Sequence, residues 1–484
     1  MPDAISRQTG ALRSFRLVCR PNLVPLVETL LRAQGFGFEP EPFFPLARKL
    51  TREPLPLGSS LAAIFGYIYI QDRSSMLPPL ALNPPEGAAV LDMCASPGSK
   101  TSLLGQHVGL AGFVLGNEPN KARLTTLRRN LQQLNLFCCC TASYPGEKLP
   151  LAGESWEYIL LDPPCSGWGT AEKNPQVLRL WHGDKIRPLI ALQRRLLAEA
   201  ALLLAPGGRL VYSTCTTNVL ENEGQIRYAR EELGLTLIPL PAPVGFSFAR
   251  PEYGPECEGA WRVAPSNGDA GGEGGQGFFV ALLHKPGTQA PETATADTIR
   301  EGQADGRAES LKHGFFVRPW AKESRFVGER PRYGKASRKG HEDAQAEILP
   351  ISSLDGAYAD PGLLPPGDIA VFNETAHFLP AAHRTLIAEK TAWKGFVLGK
   401  AGKQGYLRLS PHLRGLMPEA QVASGKGWPL INLEDIAPLL SLLQGQGFPG
   451  LSLGAGSGEA GLYYRGLPLC RLALKGRRAM LPPG

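Results

Sequence analysis

The sequence predicts an α/β fold built on a doubly wound parallel sheet, and three observations carry that expectation. Short apolar runs alternate with amphipathic helical stretches from about residue 80 to residue 285, the pattern of repeated strand–helix–strand units. Several runs stop abruptly in acidic, small or thiol side chains, as in Leu160-Leu161-Asp162-Pro163-Pro164-Cys165-Ser166-Gly167. Buried parallel strands end this way when they deliver side chains to a crevice. At 484 residues the chain is also too long for one core, so further domains are expected around the sheet.

Residues 1–80 read as an amino-terminal accessory subdomain. Arg7, Arg13, Arg16 and Arg20 make its start basic, and Leu26, Leu30 and Leu31 share one side of a helix over 23–34 that Gly35 closes. A Pro-rich basic segment and the apolar run Leu61 to Ile70 lead into the main domain, residues 81–285. Taken singly, each arginine is a solvated surface charge before it is a ligand.

The first strand ends in Leu91-Asp92-Met93, followed by Cys94-Ala95-Ser96-Pro97-Gly98 and a helix start at Ser99-Lys100. Small residues there let a ligand lie against backbone, and a helix amino terminus offers unpaired N–H groups. Neither G-x-G-x-x-G nor a P-loop is present, so neither NAD nor ATP is indicated. Glu118 ends the second strand, where a carboxylate suits ribose hydroxyls. Leucines 124, 127, 131 and 134 recur at helical spacing and belong to the core. Strands follow at 137–142 and 156–161, then a helix from 187 to 204, a turn at Pro206-Gly207-Gly208 and a fifth strand, 209–213, ending in Thr214-Cys215-Thr216. Asp162, Cys165 and Cys215 thus leave successive strands on one crevice edge. Taken alone, either thiol is as readily a buried structural cysteine.

A helix around 221–232 and strands at 236–238 and 278–283 complete the sheet, with a Gly-rich loop, 268–277, as a possible cover. Composition marks 286–310 as a linker. Residues 311–390 form a basic connecting domain in which arginines alternate with Phe315, Phe316, Trp320, Phe326 and Tyr333, a mixture suited to phosphate contact and base stacking, and equally to a solvated connector. Residues 391–484 read as a small β-rich domain with a basic edge at Arg471, Lys475, Arg477 and Arg478.

The balance of 51 Lys+Arg against 44 Asp+Glu gives a net charge of +7, which permits an acidic partner without demanding one. Nine cysteines with no C-x-x-C pair read as reduced, cytoplasmic usage, and no metal is expected. No apolar run approaches a membrane span, so neither export nor a membrane partner is expected.

With these residues in view, the chain resembles the Fmu/Sun family of RNA cytosine-5 methyltransferases. Leu91 to Thr101 is similar to that family's S-adenosylmethionine loop, Asp162 to Gly167 to its substrate-base motif, and Tyr212 to Thr216 to its nucleophile motif. The resemblance implies a Rossmann-like, S-adenosylmethionine-dependent sheet flanked by an RNA-binding amino-terminal subdomain and a PUA-like carboxyl-terminal domain. It implies cofactor contacts from Cys94, Ala95, Ser96, Pro97, Gly98, Ser99, Lys100, Glu118 and Asp162, and an RNA partner, small-subunit ribosomal RNA or the small subunit itself, bound by a monomer. Cys215 is then the thiolate nucleophile that adds to carbon 6 of cytosine, Asp162 the group gripping the base near N3, and Cys165 the thiol that assists product release. The family's Asp-Gly pair after the third strand is replaced here by Ser143-Tyr144-Pro145-Gly146, leaving the adenine to Tyr144 or to backbone. Deleting residues beyond about 390 is expected to weaken RNA affinity more than chemistry. Transfer RNA as substrate, exocyclic-nitrogen methylation, a DNA substrate and a ribosome-assembly role on a catalytically weak scaffold are the competing readings. Two thiols in the crevice argue against nitrogen methylation, which needs none.

Overall fold

The computed structural model describes residues 13–172, 174–249, 257–264, 276–287, 347–349, 359–387, 391–401, 407–446, 458–475 and 478–480. Arg7, most of the Gly-rich loop, nearly all of the linker, the aromatic-basic run 311–339 and the Arg477 edge lie outside them.

The amino-terminal subdomain is a four-stranded antiparallel sheet, order β2-β3-β1-β4, built from β1 (Ser14–Leu17), β2 (Gly37–Pro40), β3 (Ala47–Arg52) and β4 (Ile68–Ile70). It carries α1 (Val24–Ala33), which buries Val27, Leu30 and Leu31, and the single turn α2 (Leu61–Ile64). Arg16 is fully buried and donates to Ser102 Oγ at 2.6 Å, docking this sheet on the main domain. Arg13 pairs with Glu53. Two of the three described arginines in this basic start, Arg13 and Arg16, are therefore engaged internally.

Next come α3 (Leu77–Leu82), β5 (Ala89–Asp92), α4 (Ser99–Val108), β6 (Phe113–Asn117), α5 (Lys121–Leu134), β7 (Cys139–Ala142) and β8 (Trp156–Leu161). The chain continues through α6 (Gln176–Leu180), α7 (Arg187–Leu203), β9 (Leu204–Thr214), α8 (Glu223–Glu231), β10 (Thr236–Ile238), β11 (Trp261–Val263) and β12 (Phe278–His284). Strands β7, β6, β5, β8 and β9 lie parallel in that spatial order, and β12 extends the sheet antiparallel to β9. The α/β expectation holds. Both faces are covered: Val90, Val114, Leu160 and Val211 point into one core, and their neighbours Leu91, Leu115, Leu161 and Tyr212 into the other. Continuous apolar strands without polar alternation follow from that two-sided burial.

Two boundaries differ from expectation for stated reasons. Pro206-Gly207-Gly208 lies inside β9 as an irregularity in its pairing with β8, held to Lys285 by backbone hydrogen bonds, so it bulges the strand instead of starting it. Helix α8 begins at Glu223 because the side chains of Glu221 and Asn222 brace the preceding loop.

Beyond the main domain, β13 (Glu347–Leu349), β14 (Gly367–Phe372), β15 (Thr375–Pro380), β17 (Phe396–Ala401) and β18 (Leu407–Leu409) form one antiparallel sheet, with α9 (His383–Leu386) after β15. The division expected at residue 390 falls inside this sheet. Between its strands β16 (Trp393–Lys394) joins the free edge of β7. The last unit comprises α10 (Ala420–Gly425), β19 (Leu430–Leu433), α11 (Ala437–Leu443), β20 (Gly458–Tyr464), β21 (Leu467–Lys475) and β22 (Arg478–Met480).

Its core is shared. Ile431, Leu439, Leu462 and Leu472 form one cluster with Phe15, Leu17, Leu30 and Phe65 of the amino-terminal sheet, and the Tyr67 hydroxyl donates to the Pro468 carbonyl. Buried Arg414 donates to the carbonyls of Val18, Gly66 and Leu134, its guanidinium 4.2 Å from the Tyr67 ring centre. Arg471 is buried as well, on Glu459 and the Ser410 carbonyl, so it is not part of a basic edge. The first and last segments of the chain fold as one body, and cutting the chain at 390 strips the amino-terminal sheet of its core partner.

Candidate active site

The strand order reverses between β5 and β8, whose neighbours continue in opposite directions, and in open parallel sheets the crevice opens at that point beyond the carboxyl ends. The loop after β5 is stitched across it: Met93 N donates to the Leu160 carbonyl at 3.0 Å and Ala95 N to the Asn117 carbonyl at 2.9 Å. Gly98 caps α4 with φ +105°, a left-handed conformation that a side chain would strain, and no side chain caps the helix there. The first N–H groups of α4 therefore face the crevice end uncapped. Asp92, fully buried, accepts from Thr101 Oγ1 at 2.7 Å, and burial raises its carboxyl to about 7. Ser96 and Arg123 exchange hydrogen bonds, fastening the loop to α5. Cys94 lies beside this loop, and burial pushes its thiol well up, which suits a protonated wall residue.

Glu118 sits at the end of β6, accepts from Asn120 N at 2.8 Å and pairs with Arg123 at 3.4 Å. Asn117, not anticipated from the sequence, ties this end to its neighbours: its amide donates to the carbonyls of Met93 and Tyr144 and accepts from Tyr144 N. The Tyr144 hydroxyl accepts from Ala392 N at 2.5 Å, which ties this side chain to the segment just before β16. Ser143 Oγ, immediately after β7, is buried without a hydrogen-bond partner.

The other wall holds Asp162, Cys165 and Cys215 together. Asp162 Oδ2 accepts from Lys100 Nζ at 2.6 Å, and its Oδ1 from Ser213 Oγ at 2.8 Å. Burial pulls the Lys100 ammonium down, but the Asp162 carboxylate outweighs it and holds it above its usual value. Lys100 is thus a cation inside the crevice and not merely a loop member; its first-turn position in α4 was the available signal. Cys165 and Cys215 face each other with Sγ to Sγ at 3.3 Å. The hydrogen bond between them splits their acidities: it lowers Cys215, aided by Lys100 against burial, and raises Cys165, where burial adds to the effect.

Backbone locks the Cys215 loop. Gly169 N donates to the Cys215 carbonyl and Gly277 N to the Gly169 carbonyl, each at 3.0 Å. A Cβ on Gly169 would stand 1.9 Å from the Gly277 carbonyl oxygen, so only glycine fits. Arg262 donates to the Thr217 carbonyl at 2.6 Å while paired to buried Glu223. No group of metal-ligating side chains occurs among the described residues, and none of the described helices is long and apolar enough to cross a membrane.

Residues 79–284, which contain every one of these groups, match the family described as 16S rRNA methyltransferase RsmB/F. Over this domain, rather less than half of its length, the chain is similar to the RsmB/F methyltransferase family. Ribosomal RNA small subunit methyltransferase F of Cronobacter sakazakii is 36% identical over 304 residues, covering 60% of this chain and 61% of its own. The Salmonella typhi protein of the same name is 38% identical over 238 residues, covering 48% of each. The chain thus spans about half to three fifths of the length of these curated relatives. Among solved structures, that of PH0851 superposes with a TM-score of 0.51 at 29% identity, covering 58% of this chain and 60% of its own.

The RsmB/F domain is that of an S-adenosylmethionine-dependent methyltransferase. Its residues fit that cofactor. The uncapped α4 terminus, the small-residue loop 94–98, the carboxylate of Glu118 and the orphaned Ser143 hydroxyl line successive strand ends of one crevice. The donor set is that of a nucleoside site: amides, a carboxylate and a free hydroxyl.

Proposed function

We propose that this protein methylates carbon 5 of a cytosine in RNA, with small-subunit ribosomal RNA as the substrate class, through a covalent adduct at Cys215. The observation that carries the reading is the pair of facing thiols beside the Lys100–Asp162 ion pair. Nitrogen methylation would use neither thiol.

Bound S-adenosylmethionine supplies an electrophilic methyl group. The loop from Cys94 to Lys100 would hold it through backbone N–H groups, with Glu118 toward the ribose and Ser143 toward the adenine. Cys215, as thiolate, adds to carbon 6 of the base and so loads carbon 5 with electron density. Asp162, fixed by Lys100 and Ser213, would keep lone pairs for the exocyclic amino group of the ring and for the N3–H that forms when N3 takes a proton from water as the thiolate adds. Cys165 would keep its proton and hydrogen-bond the Cys215 sulfur, which leaves carbon 6 as thiolate while water takes the carbon-5 proton. The target base has to be swung out of its stack to enter, at a cost of a few kcal/mol.

The shared body of amino- and carboxyl-terminal elements serves in this reading as the RNA platform, the carboxyl-terminal part PUA-like, in a cytoplasmic monomer. Two measurements test the proposal together. Calorimetry gives the S-adenosylmethionine dissociation constant, and mapping of 5-methylcytosine in total RNA from a strain lacking the protein is expected to show one small-subunit position lost. Cofactor binding with no position lost would overturn the assignment of reaction and substrate.

A further inference from the structure

Two cysteines 3.3 Å apart in one crevice pose a selectivity problem, because nothing in the thiols themselves decides which ionises. The surroundings decide it asymmetrically. Asp162 lies near both and opposes the ionisation of both, so it does not discriminate. Lys100 favours the anion at Cys215. The remaining charge is Glu221, and it bears on Cys165.

Glu221 is fully buried, and its carboxylate is tied to both thiol-bearing loops. Oε2 accepts from Ser166 N at 2.9 Å and from Gln193 Nε2 at 2.9 Å, the same amide that donates to the Pro164 carbonyl. Oε1 accepts from Ser166 Oγ at 2.5 Å and from Asn218 Nδ2 at 3.1 Å. Ser166 Oγ also lies 2.7 Å from Thr216 Oγ1, and the Tyr212 hydroxyl donates to the Glu221 carbonyl. One carboxylate therefore clamps residues 164–166 on the carboxyl side of Asp162 to residues 216–218 beyond Cys215. A buried carboxylate is retained only where donors replace its water, and here every donor comes from the two loops or from α7 packed behind them.

We propose that Glu221 is a positioning residue that fixes the register of the two thiols and keeps the proton on Cys165, so that Cys215 alone is the nucleophile. The inference rests on the reading of Cys215 above and extends it to the cause of its selection. The charged and titratable groups around the pair are Lys100 from α4, Asp162 from the end of β8, Tyr212 from β9 and Glu221 itself; Tyr212 is buried and its phenol is held well above its usual value, so it stays neutral.

The test alkylates the full-length protein with iodoacetamide across pH 6–9 and reads each cysteine by peptide mass spectrometry, with thermal unfolding as the control for folding. In the parent protein Cys215 is expected to react about tenfold or more faster than Cys165 near neutral pH, the ratio that one pKa unit of separation gives. Glu221→Gln keeps the shape and removes the charge; the ratio is expected to fall about tenfold, with the Cys165 profile moving to lower pH. Glu221→Asp keeps the charge but draws it back by a methylene, and an intermediate ratio is expected. An unchanged ratio in either folded variant overturns the proposal, and should Glu221→Gln not fold, Glu221→Asp alone decides it. The readout needs neither RNA nor cofactor. A parent ratio near unity would instead remove Cys215 as the nucleophile, so the two failures are distinguishable.

Discussion

Replacing Lys100 by Gln removes the cation that Asp162 and the Cys215 thiolate share. The Lys100–Asp162 pair is 2.6 Å long, with the side chains 11% and 25% exposed. Deleting one partner of a fully buried pair costs about 3–5 kcal/mol; with Asp162 a quarter open to solvent and still bonded to Ser213, about 2–3 kcal/mol of stability is expected here. For the thiolate, Lys100 is a favourable opposite charge, and such a charge at about 4 Å contributes between about 1 kcal/mol in water and about 4 kcal/mol at an effective dielectric near 20. Its loss therefore raises the Cys215 midpoint by about one pKa unit or more, since each unit is about 1.4 kcal/mol. The sign is fixed: Lys100 favours the anion, so removal shifts the rise of reactivity to higher pH and cuts the thiolate fraction near pH 7 about tenfold. The assay is the pH profile of Cys215 alkylation. A midpoint that does not move, in a folded Lys100→Gln protein, would refute the assignment of Lys100 as the cation that activates Cys215.

Other outcomes follow from the same contacts. Gly169→Ala must displace the Gly277 backbone from a 1.9 Å overlap, so it is expected to lose adduct formation by at least about tenfold while changing cofactor affinity little, as measured by single-turnover trapping and calorimetry. Arg414→Ala leaves three buried carbonyls without their donor and is expected to cost about 2–4 kcal/mol, read by denaturant unfolding; a truncation at 390 is expected to expose the amino-terminal sheet to protease rather than merely to weaken RNA binding. Asp92 titrates near 7 when folded against an ordinary 3.8. The folded chain therefore holds a proton that the unfolded chain has lost between those values, and stability falls by about 3–4 kcal/mol as pH rises from 4 to 7. Asp92→Asn is expected to flatten that slope, and an unchanged slope would contradict it.

Much of the crevice was legible because its chemistry is local in sequence. Asp162, Cys165 and Cys215 each follow directly on an apolar strand, and a strand that ends in a reactive side chain announces both its direction and its delivery point. The parallel, doubly covered sheet was likewise implied by alternating runs whose two faces are both apolar, whereas its strand order was not. What the sequence hid is non-local. Glu221 reads as one more acid at a helix start, and only folding reveals that its donors come from residues 28 and 55 positions away. Arg16 and Arg471 read as surface charge because a buried arginine leaves no mark in its own neighbourhood; each is internal here because its partners lie in other segments. The shared core of residues 15–68 and 431–479 pairs the two ends of the chain, a union that no window along the sequence contains. The bond from Ala392 N to the Tyr144 hydroxyl is likewise a contact between segments far apart in the sequence.

The claim at the centre is that Cys215 attacks and Cys165 releases. It is tested most directly by incubating full-length parent, Cys165→Ala and Cys215→Ala proteins with cofactor and small-subunit ribosomal RNA, then resolving denaturant-resistant protein–RNA species by mass. Accumulated adduct in Cys165→Ala and none in Cys215→Ala is the predicted result. Adduct formed by the Cys215→Ala protein would contradict it.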